Sequence, residues 1–290
     1  MRTVGFVGVG KLGMPISEHL VKGGYRVLGY RRSAMTEFEA IGGVPARSPA
    51  EIGGEADIVF SCMPSSEALE EAMLGPNGLI QSARPGQVVV ELGSHPLADK
   101  RRYIAPFADK GTSFVDGEVS GTPGMVVARK GVIYLAGDRE ACTRVEELTK
   151  AFADMTLYFG PFGAASKVKL INNLLVAVHI TATAEAMALG LRAGVDTDLM
   201  IKAVANGSGG STQFGIRAPW MAQRKFLPQQ GSAPALAHYF DMIDDLSAEV
   251  GVATPILDRI KEIFALGLPM IGERDVAAII EAIEAWPRSK

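Results

Sequence analysis

Hydrophobic and polar positions follow two periods along the first half of the chain. Short runs rich in β-branched residues read as strands: Thr3–Val9, Arg26–Tyr30, Asp57–Cys62, Gln87–Leu92, Ser113–Val115, Val132–Ala136 and Leu157–Phe159. Between them apolar residues recur at helical spacing, as at Leu12, Ile16 and Leu20, or at Val145, Leu148 and Phe152. Strand and helix in alternation predict a mostly parallel sheet with helices on both faces, because parallel neighbours need crossover connections.

After Gly163 the strand signals stop. Residues 164–193 contain no proline and only Gly190 as a potential breaker, and the helical pattern beyond breaks at Gly207–Gly210, Pro228–Pro234 and Gly267–Pro269. The pattern predicts an α/β chain in two parts. A Rossmann-type doubly wound sheet covers 1–163, an all-α domain covers 164–290, and a long interdomain helix of roughly 45 Å, at 1.5 Å per residue, joins them.

Composition agrees with that division and narrows the function. A chain of 290 residues, 48% hydrophobic and 21% charged, has the make-up of a globular protein of about two domains. Lys and Arg number 29 against 32 Asp and Glu, a net charge of −3, so no global attraction to nucleic acid or an anionic membrane is expected. Cys62 and Cys142 are the only cysteines, which suggests neither a disulfide framework nor a metal site, and points to a reducing compartment. The N-terminus lacks a signal-peptide pattern, and Asn172, Asn173, His179, Thr181, Thr183 and Glu185 make the apolar stretch 170–191 too polar for a lipid-exposed span. A soluble cytoplasmic protein is the expectation. Glycine is the outlier, 33 of 290 residues or about 11% against a usual ~7%, which directs attention to loops.

One such loop is Gly8-Val9-Gly10-Lys11-Leu12-Gly13, a GxGxxG that follows a predicted strand and opens a predicted helix. In a dinucleotide site Gly8 permits the tight turn, Gly10 lets the backbone approach a pyrophosphate, and Gly13 allows close packing of helix on sheet. An NAD site usually carries Asp or Glu about 20 residues further on, whereas here Arg31, Arg32 and Ser33 stand there. Guanidinium groups offer charged, bidentate hydrogen bonds to a 2′-phosphate, so NADP(H) is preferred and NAD(H) is the lesser alternative. Met63, Pro64, Ser65 and Ser94 follow two further strands, where ligands of open α/β sheets sit. They face the ribose and nicotinamide, or serve as turns and helix caps.

Two further segments extend this picture: Asp116-Gly117-Glu118-Val119-Ser120-Gly121-Thr122 and Lys169-Leu170-Ile171-Asn172-Asn173. With the glycine loop, in this order, they resemble the Asp-Ala-Pro-Val-Ser-Gly-Gly and Lys-x-x-Asn-Asn segments of the β-hydroxyacid dehydrogenase family. That family includes 3-hydroxyisobutyrate, tartronate semialdehyde and 6-phosphogluconate enzymes. The resemblance implies a hydride transfer between a nicotinamide cofactor and a small hydroxyacid or its semialdehyde. It implies Lys169 as general acid/base, Ser120, Gly121 and Thr122 holding a substrate carboxylate, Asn173 orienting the substrate, and a homodimer or homotetramer. Helix geometry agrees in part, since Asn173 lies about 40° around the helix from Lys169 while Lys167 lies about 160° away. A lysine desolvated in a cleft can exchange a proton near neutral pH; a solvated lysine on an amphipathic helix is the plain alternative.

The chain also departs from that family. Glu118 stands where the family usually has Pro, Thr122 replaces its second Gly, and Ala165 stands where a Gly is common. The stretch to Ala128-Arg129-Lys130-Gly131 is about two residues longer. Near the C-terminus, where the family often has Lys-Asp-Leu, the chain has His238-Tyr239-Phe240, and His238 either donates a hydrogen bond to the cofactor or packs in the core. Phe214, Arg217 and Trp220 shape a pocket or fill the core. Residues 175–191, apolar on more than one face, favour association with a second copy. Imine reduction on the same two-domain fold and a non-catalytic NADP-binding regulator are the rival readings; retention of Lys169 and Ser120-Gly121 weighs against the first, and the second leaves the Lys169/Asn173 arrangement unexplained.

Overall fold

The structure of the chain is a computed structural model that describes residues 2–287. It divides after Lys169 into two compact units. The first holds eight strands: β1 (Thr3–Val7), β2 (Arg26–Tyr30), β3 (Val44–Pro45), β4 (Ile58–Ser61), β5 (Val88–Glu91), β6 (Ser113–Ser120), β7 (Val132–Ala136) and β8 (Met155–Tyr158). They form one sheet in the order β3-β2-β1-β4-β5-β6-β7-β8, and among the described residues only the β6–β7 pair is antiparallel.

Eight helices connect these strands: α1 (Gly13–Lys22), α2 (Thr36–Ala40), α3 (Pro49–Glu55), α4 (Ser66–Leu74), α5 (Leu97–Arg101), α6 (Ile104–Ala108), α7 (Pro123–Val127) and α8 (Arg139–Thr149). The central strands are buried on both faces. Their period of two sends Phe6, Phe60 and Val90 into one core with Ile16 and Leu20 of α1, and Val7, Val59 and Val89 into another with Ile52 of α3. That double burial is why β4 and β5 read as unbroken apolar runs rather than alternating ones.

Two strands differ from the sequence expectation. β3 has two residues, too few to carry any periodicity, and is held by parallel pairing of Leu28 with Val44 and Gly29 with Pro45. β6 continues beyond Val115 to Ser120 because β7 pairs with it antiparallel from Asp116↔Ala136 to Ser120↔Val132. The charged residues Asp116 and Glu118, which argue against a buried strand, are matched there by a buried lysine.

The second unit is helical. Helix α9 (Ala164–Arg192) begins in the first unit and continues in the second, followed by α10 (Thr197–Ala205), α11 (Thr212–Gln223), α12 (Ala233–Val250), α13 (Pro255–Ile271) and α14 (Ile280–Ala285). By length and composition α9 is apolar enough to cross a membrane, yet its Ala177, Ile180, Ala184 and Met187 form a buried stripe at alternating spacings of three and four. This stripe shares a core with Phe214, Met221, Phe240 and Phe264. Arg217 is buried in the same unit, where its Nη1 donates to Asp275 Oδ1 at 2.6 Å.

Glu91, at the end of β5, is fully buried; its Oε1 accepts the Gly93 N–H at 2.6 Å and lies 3.6 Å from His95 Nε2. Burial pushes its carboxyl up to about 7 from an ordinary 4.5, against the pull of the Lys100 ammonium. The folded chain therefore holds a proton that the unfolded chain releases, and stability falls as pH rises between those two values. Glu91→Gln is expected to raise the melting temperature by several degrees at pH 8 and by little at pH 5. Equal shifts in thermal melts at the two pH values would contradict this.

Candidate active site

The first unit's site begins with strand register. Val7 of β1 pairs with Tyr30 of β2 on one side and Ser61 of β4 on the other, so Gly8, Arg31 and Cys62 leave the sheet at one level. The chain also reverses direction of winding at β1, with β2 and β3 to one side and β4 onward to the other. Ligands of open α/β sheets bind at such a switch point, beyond the carboxyl ends of the strands.

A cavity of about 1040 Å³ lies there. The whole glycine loop, Gly8, Val9, Gly10, Lys11, Leu12 and Gly13, lines it, as do Arg31, Arg32, Ser33, Met63 and Pro64. The three glycines have different reasons to be glycine. Gly8 has φ +92°, and a Cβ on it would come 2.3 Å from the Cys62 carbonyl oxygen. A Cβ on Gly13 would come 2.5 Å from the Gly8 carbonyl oxygen and 2.6 Å from the Phe6 ring, the close approach of helix to sheet. A Cβ on Gly10 would meet nothing within 4 Å, so no atom of the protein requires glycine at that position. Open space above a loop glycine suits the close approach of a ligand.

Helix α1 starts beside that space with no side-chain cap and no acidic residue in its first turn, leaving its positive end to an anion. Cavity size, glycine cradle and uncapped helix together fit a dinucleotide. Arg31 is held in place, its Nε donating to the Ala34 carbonyl at 2.7 Å and its Nη1 to the Val9 carbonyl at 3.4 Å. Arg32 and Ser33 are exposed on the cavity wall. Arg47, Ser48 and Asn77 also line the cavity and were not foreseen in the sequence. Arg47 follows the two-residue β3, and recognising that strand would have placed it at a carboxyl end; its Nε donates to Glu51 at 3.0 Å.

Other expected residues lie off this cavity. Ser65 caps α4, accepting the Ala68 N–H at 3.2 Å, which is the helix-cap alternative for that position. Ser94 donates its hydroxyl to Glu118 Oε2 at 2.7 Å. His238 is exposed on α12 of the second unit, its ring edge-on to Tyr239 at 5.8 Å, so it is not a packed core histidine.

The segment resembling a substrate site is strand through Ser120. Gly121 then adopts φ +149°, a conformation L side chains rarely take, and Thr122 caps α7 by accepting the Met125 N–H at 3.3 Å. Lys169, 8% exposed, donates from Nζ to the Val119 carbonyl at 2.6 Å, which fixes a buried ammonium beside this segment. One turn along α9, Asn173 is buried with its Nδ2 lacking a hydrogen-bond partner.

Beneath Lys169 lies a polar cluster that sequence patterning missed. Asp116 Oδ2 accepts the Ser166 N–H at 2.9 Å and its Oδ1 accepts the Ser166 hydroxyl at 2.6 Å, capping the start of α9. The fully buried Lys100 donates to Asp116 Oδ1 and Glu118 Oε1, each at 3.0 Å. Burial works against the Lys100 charge, but Glu118, Asp116 and Glu91 outweigh it and hold the ammonium above the ordinary lysine range.

Comparison with known proteins agrees with this construction. A family model described as the NAD binding domain of 6-phosphogluconate dehydrogenase matches residues 3–160. Another, described as NAD-binding of NADP-dependent 3-hydroxyisobutyrate dehydrogenase, matches residues 163–283. The chain is 33% identical over 230 residues to the L-threonate dehydrogenase of Cupriavidus necator, covering 78% of this chain and 77% of that one. It is 32% identical over 222 residues to the NAD-dependent L-serine dehydrogenase of Pseudomonas aeruginosa, covering 76% and 74%. Among solved structures, a Mycobacterium tuberculosis 3-hydroxyisobutyrate dehydrogenase with L-serine aligns with a TM-score of 0.87 at 24% identity, over 98% of this chain and 99% of that one, a likeness of fold. The glycine cradle and the lysine segment thus sit on a fold and a sequence shared with hydroxyacid oxidoreductases that bind NAD(P), and the chain belongs to the β-hydroxyacid dehydrogenase family.

Proposed function

We propose that the protein is an NADP(H)-dependent dehydrogenase of a small β-hydroxyacid, or in reverse a reductase of its semialdehyde, with Lys169 as general acid/base. The observation that carries this reading is the buried Lys169 ammonium, 2.6 Å from the Val119 carbonyl and so next in sequence to Ser120, Gly121 and Thr122. The names of the relatives support the substrate class. Threonate, serine and hydroxyisobutyrate are all small carboxylates with a hydroxyl on the β-carbon.

The bound cofactor supplies or accepts the hydride. The chain's residues do the rest. Backbone N–H groups of Ser120, Gly121 and Thr122 at the end of β6 hold the carboxylate, as irregular backbone at a strand end favours anions. Lys169 gives a proton to the substrate oxygen as a carbonyl is reduced and takes it back when the alcohol is oxidised. Asn173 orients the substrate through its buried Nδ2. Arg31, Arg32 and Ser33 favour the 2′-phosphate of NADP(H), since no carboxylate stands at their place to accept from an unphosphorylated ribose. A homodimer or homotetramer is part of the same reading, supported by Ile171, Leu175 and Leu189, which are exposed along α9.

Three experiments check this proposal. Lys169→Ala is expected to lower turnover of a hydroxyacid panel by about 10²–10⁴-fold, the usual worth of a positioned acid/base, with cofactor binding nearly unchanged; unchanged turnover would remove Lys169 from the chemistry. Replacing Arg31 and Arg32 with Ala is expected to weaken NADPH binding about tenfold or more and NADH binding little, in line with charge-assisted hydrogen bonds of about 1.5–3 kcal/mol. Equal losses for both cofactors in fluorescence titrations would argue against the 2′-phosphate assignment. Gly10→Ala is expected to leave the melting temperature close to wild type while weakening both cofactors, because its Cβ meets only open space. Gly13→Ala, which drives a Cβ against Gly8 and Phe6, is expected to lower the melting temperature instead.

A further inference from the structure

Arg47 follows the two-residue β3 and lies outside the segments that carry the family resemblance. Strand β3 pairs with β2 through Leu28↔Val44 and Gly29↔Pro45, and the Ala46 N–H extends the ladder by donating to the Gly29 carbonyl at 2.8 Å. Carried two residues further, this register sets Arg47 beside Arg31 and Arg32, since neighbouring strands run about 4.8 Å apart. All three line the cavity, together with Ser33. Their guanidinium groups are engaged differently. Arg31 donates from Nε and Nη2 to the Ala34 carbonyl and from Nη1 to the Val9 carbonyl, so most of its donors serve its own loop. Arg32 has no hydrogen-bond or ion-pair partner among the described residues. Arg47 is anchored at one end only: Glu51 Oε2 accepts its backbone N–H at 2.8 Å and its Nε–H at 3.0 Å. These bonds, the backbone one first, hold the Glu51 carboxyl below its ordinary range, so the anchor is ionised at neutral pH. The Nη1 and Nη2 edge of Arg47 keeps its donors without a partner among the described residues, on a side chain that is 92% exposed.

We propose that Arg47 is a specificity-determining residue: with Arg32 it clamps the 2′-phosphate of NADP(H), one guanidinium reaching from the end of β2 and the other from the end of β3, while Arg31 adds charge. The clamp rests on the NADP(H) reading of this site. A phosphate monoester carries close to two negative charges and three terminal oxygens at neutral pH, more acceptors than one guanidinium fork satisfies. Two forks from separate strand ends can take different oxygens. Glu51 fixes the direction of the Arg47 fork, and a guanidinium already held gives up less side-chain freedom when the phosphate arrives. Lys11, Arg31, Arg32 and Arg47 line the cavity against the carboxylates of Glu51 and Glu71, so the wall favours the more highly charged ligand. An unphosphorylated ribose offers only neutral hydroxyls and gains little from a second cation.

The test is calorimetric titration of the full chain, as wild type, Arg47→Ala and Arg47→Lys, with NADPH, NADH, 2′,5′-ADP and 5′-AMP. Both variants keep the backbone N–H that Glu51 accepts and change only an exposed side chain, so the start of α3 stays intact. Arg47→Ala is expected to weaken NADPH and 2′,5′-ADP about five- to tenfold, the lower part of what a charge-assisted hydrogen bond contributes because the group is exposed. NADH and 5′-AMP are expected to stay within about twofold of wild type, since neither carries the 2′-phosphate. Arg47→Lys keeps the charge without the planar fork and is expected to recover only part of the loss. An Arg47→Ala variant that keeps the full preference for NADPH over NADH, equal losses for all four ligands, or full recovery by Arg47→Lys would overturn the clamp. A wild type that binds NADH as tightly as NADPH defeats the NADP(H) reading and the clamp with it. One that prefers NADPH, with Arg47→Ala silent, defeats the clamp alone.

Discussion

The pairing of Val7 with Tyr30 on one side and Ser61 on the other is the constraint on which the first unit's site depends. Register in a sheet with both faces buried is tightly fixed, because a slip of one residue exchanges the two sets of side chains. Here it would swap Phe6 and Phe60 with Val7 and Val59 across the sheet. With that register set, the glycine loop, the Arg31 segment and the Cys62–Pro64 segment emerge at the same height, and the cavity between them follows. The chain's reversal of winding at β1 keeps the space open, since the connections after β1 and β4 leave on opposite sides.

The same register carries further along the sheet, where Ser61 pairs with Glu91 and Glu91 with Asp116. There the chain places ionisable groups in its interior: Glu91, Lys100, Asp116 and Glu118 are each at most 2% exposed. Such a cluster is poor evidence for stability, because desolvation offsets much of the attraction, while removing one partner typically costs about 3–5 kcal/mol. Its value lies in specificity of position. Lys100 ties α5 to β6, and Asp116 and Ser166 tie β6 to the start of α9, which carries Lys169 one turn later. Small loops and a short helix are thereby given fixed places around the Lys169 amine.

Much of this was legible in the sequence for definite reasons. Helix and strand periods located seven of the strands, most of them because they are buried and apolar, while β8 is half exposed and read as a strand from its composition alone. The GxGxxG lay in its required strand-to-helix context; Gly8 and Gly13 proved to have steric reasons of their own, while Gly10 faces open space. β3 was not legible because two residues carry no period, and with it Arg47 was missed. The strand character of residues 116–120 was hidden because Asp116 and Glu118 look like loop residues until Lys100 and β7 are brought to them. Ser65 and Ser94 looked alike in sequence, each a serine just beyond a strand, but one caps α4 and the other donates to Glu118.

By itself, then, the sequence determined the class of fold, the change from α/β to all-α near residue 163, and the glycine loop in its strand-to-helix setting. Those follow from local period and from short, contiguous segments, which a linear reading can see. Tertiary structure decided what each polar group faces: that Gly10 faces open space, that Lys169 is anchored on Val119, and that the Ser94 proton is spent on Glu118. Lys169 and Val119 are 50 residues apart and Ser94 and Glu118 are 24 apart. Hydrogen-bond partners at such separations are chosen by strand order and register, and no periodicity along the chain encodes them.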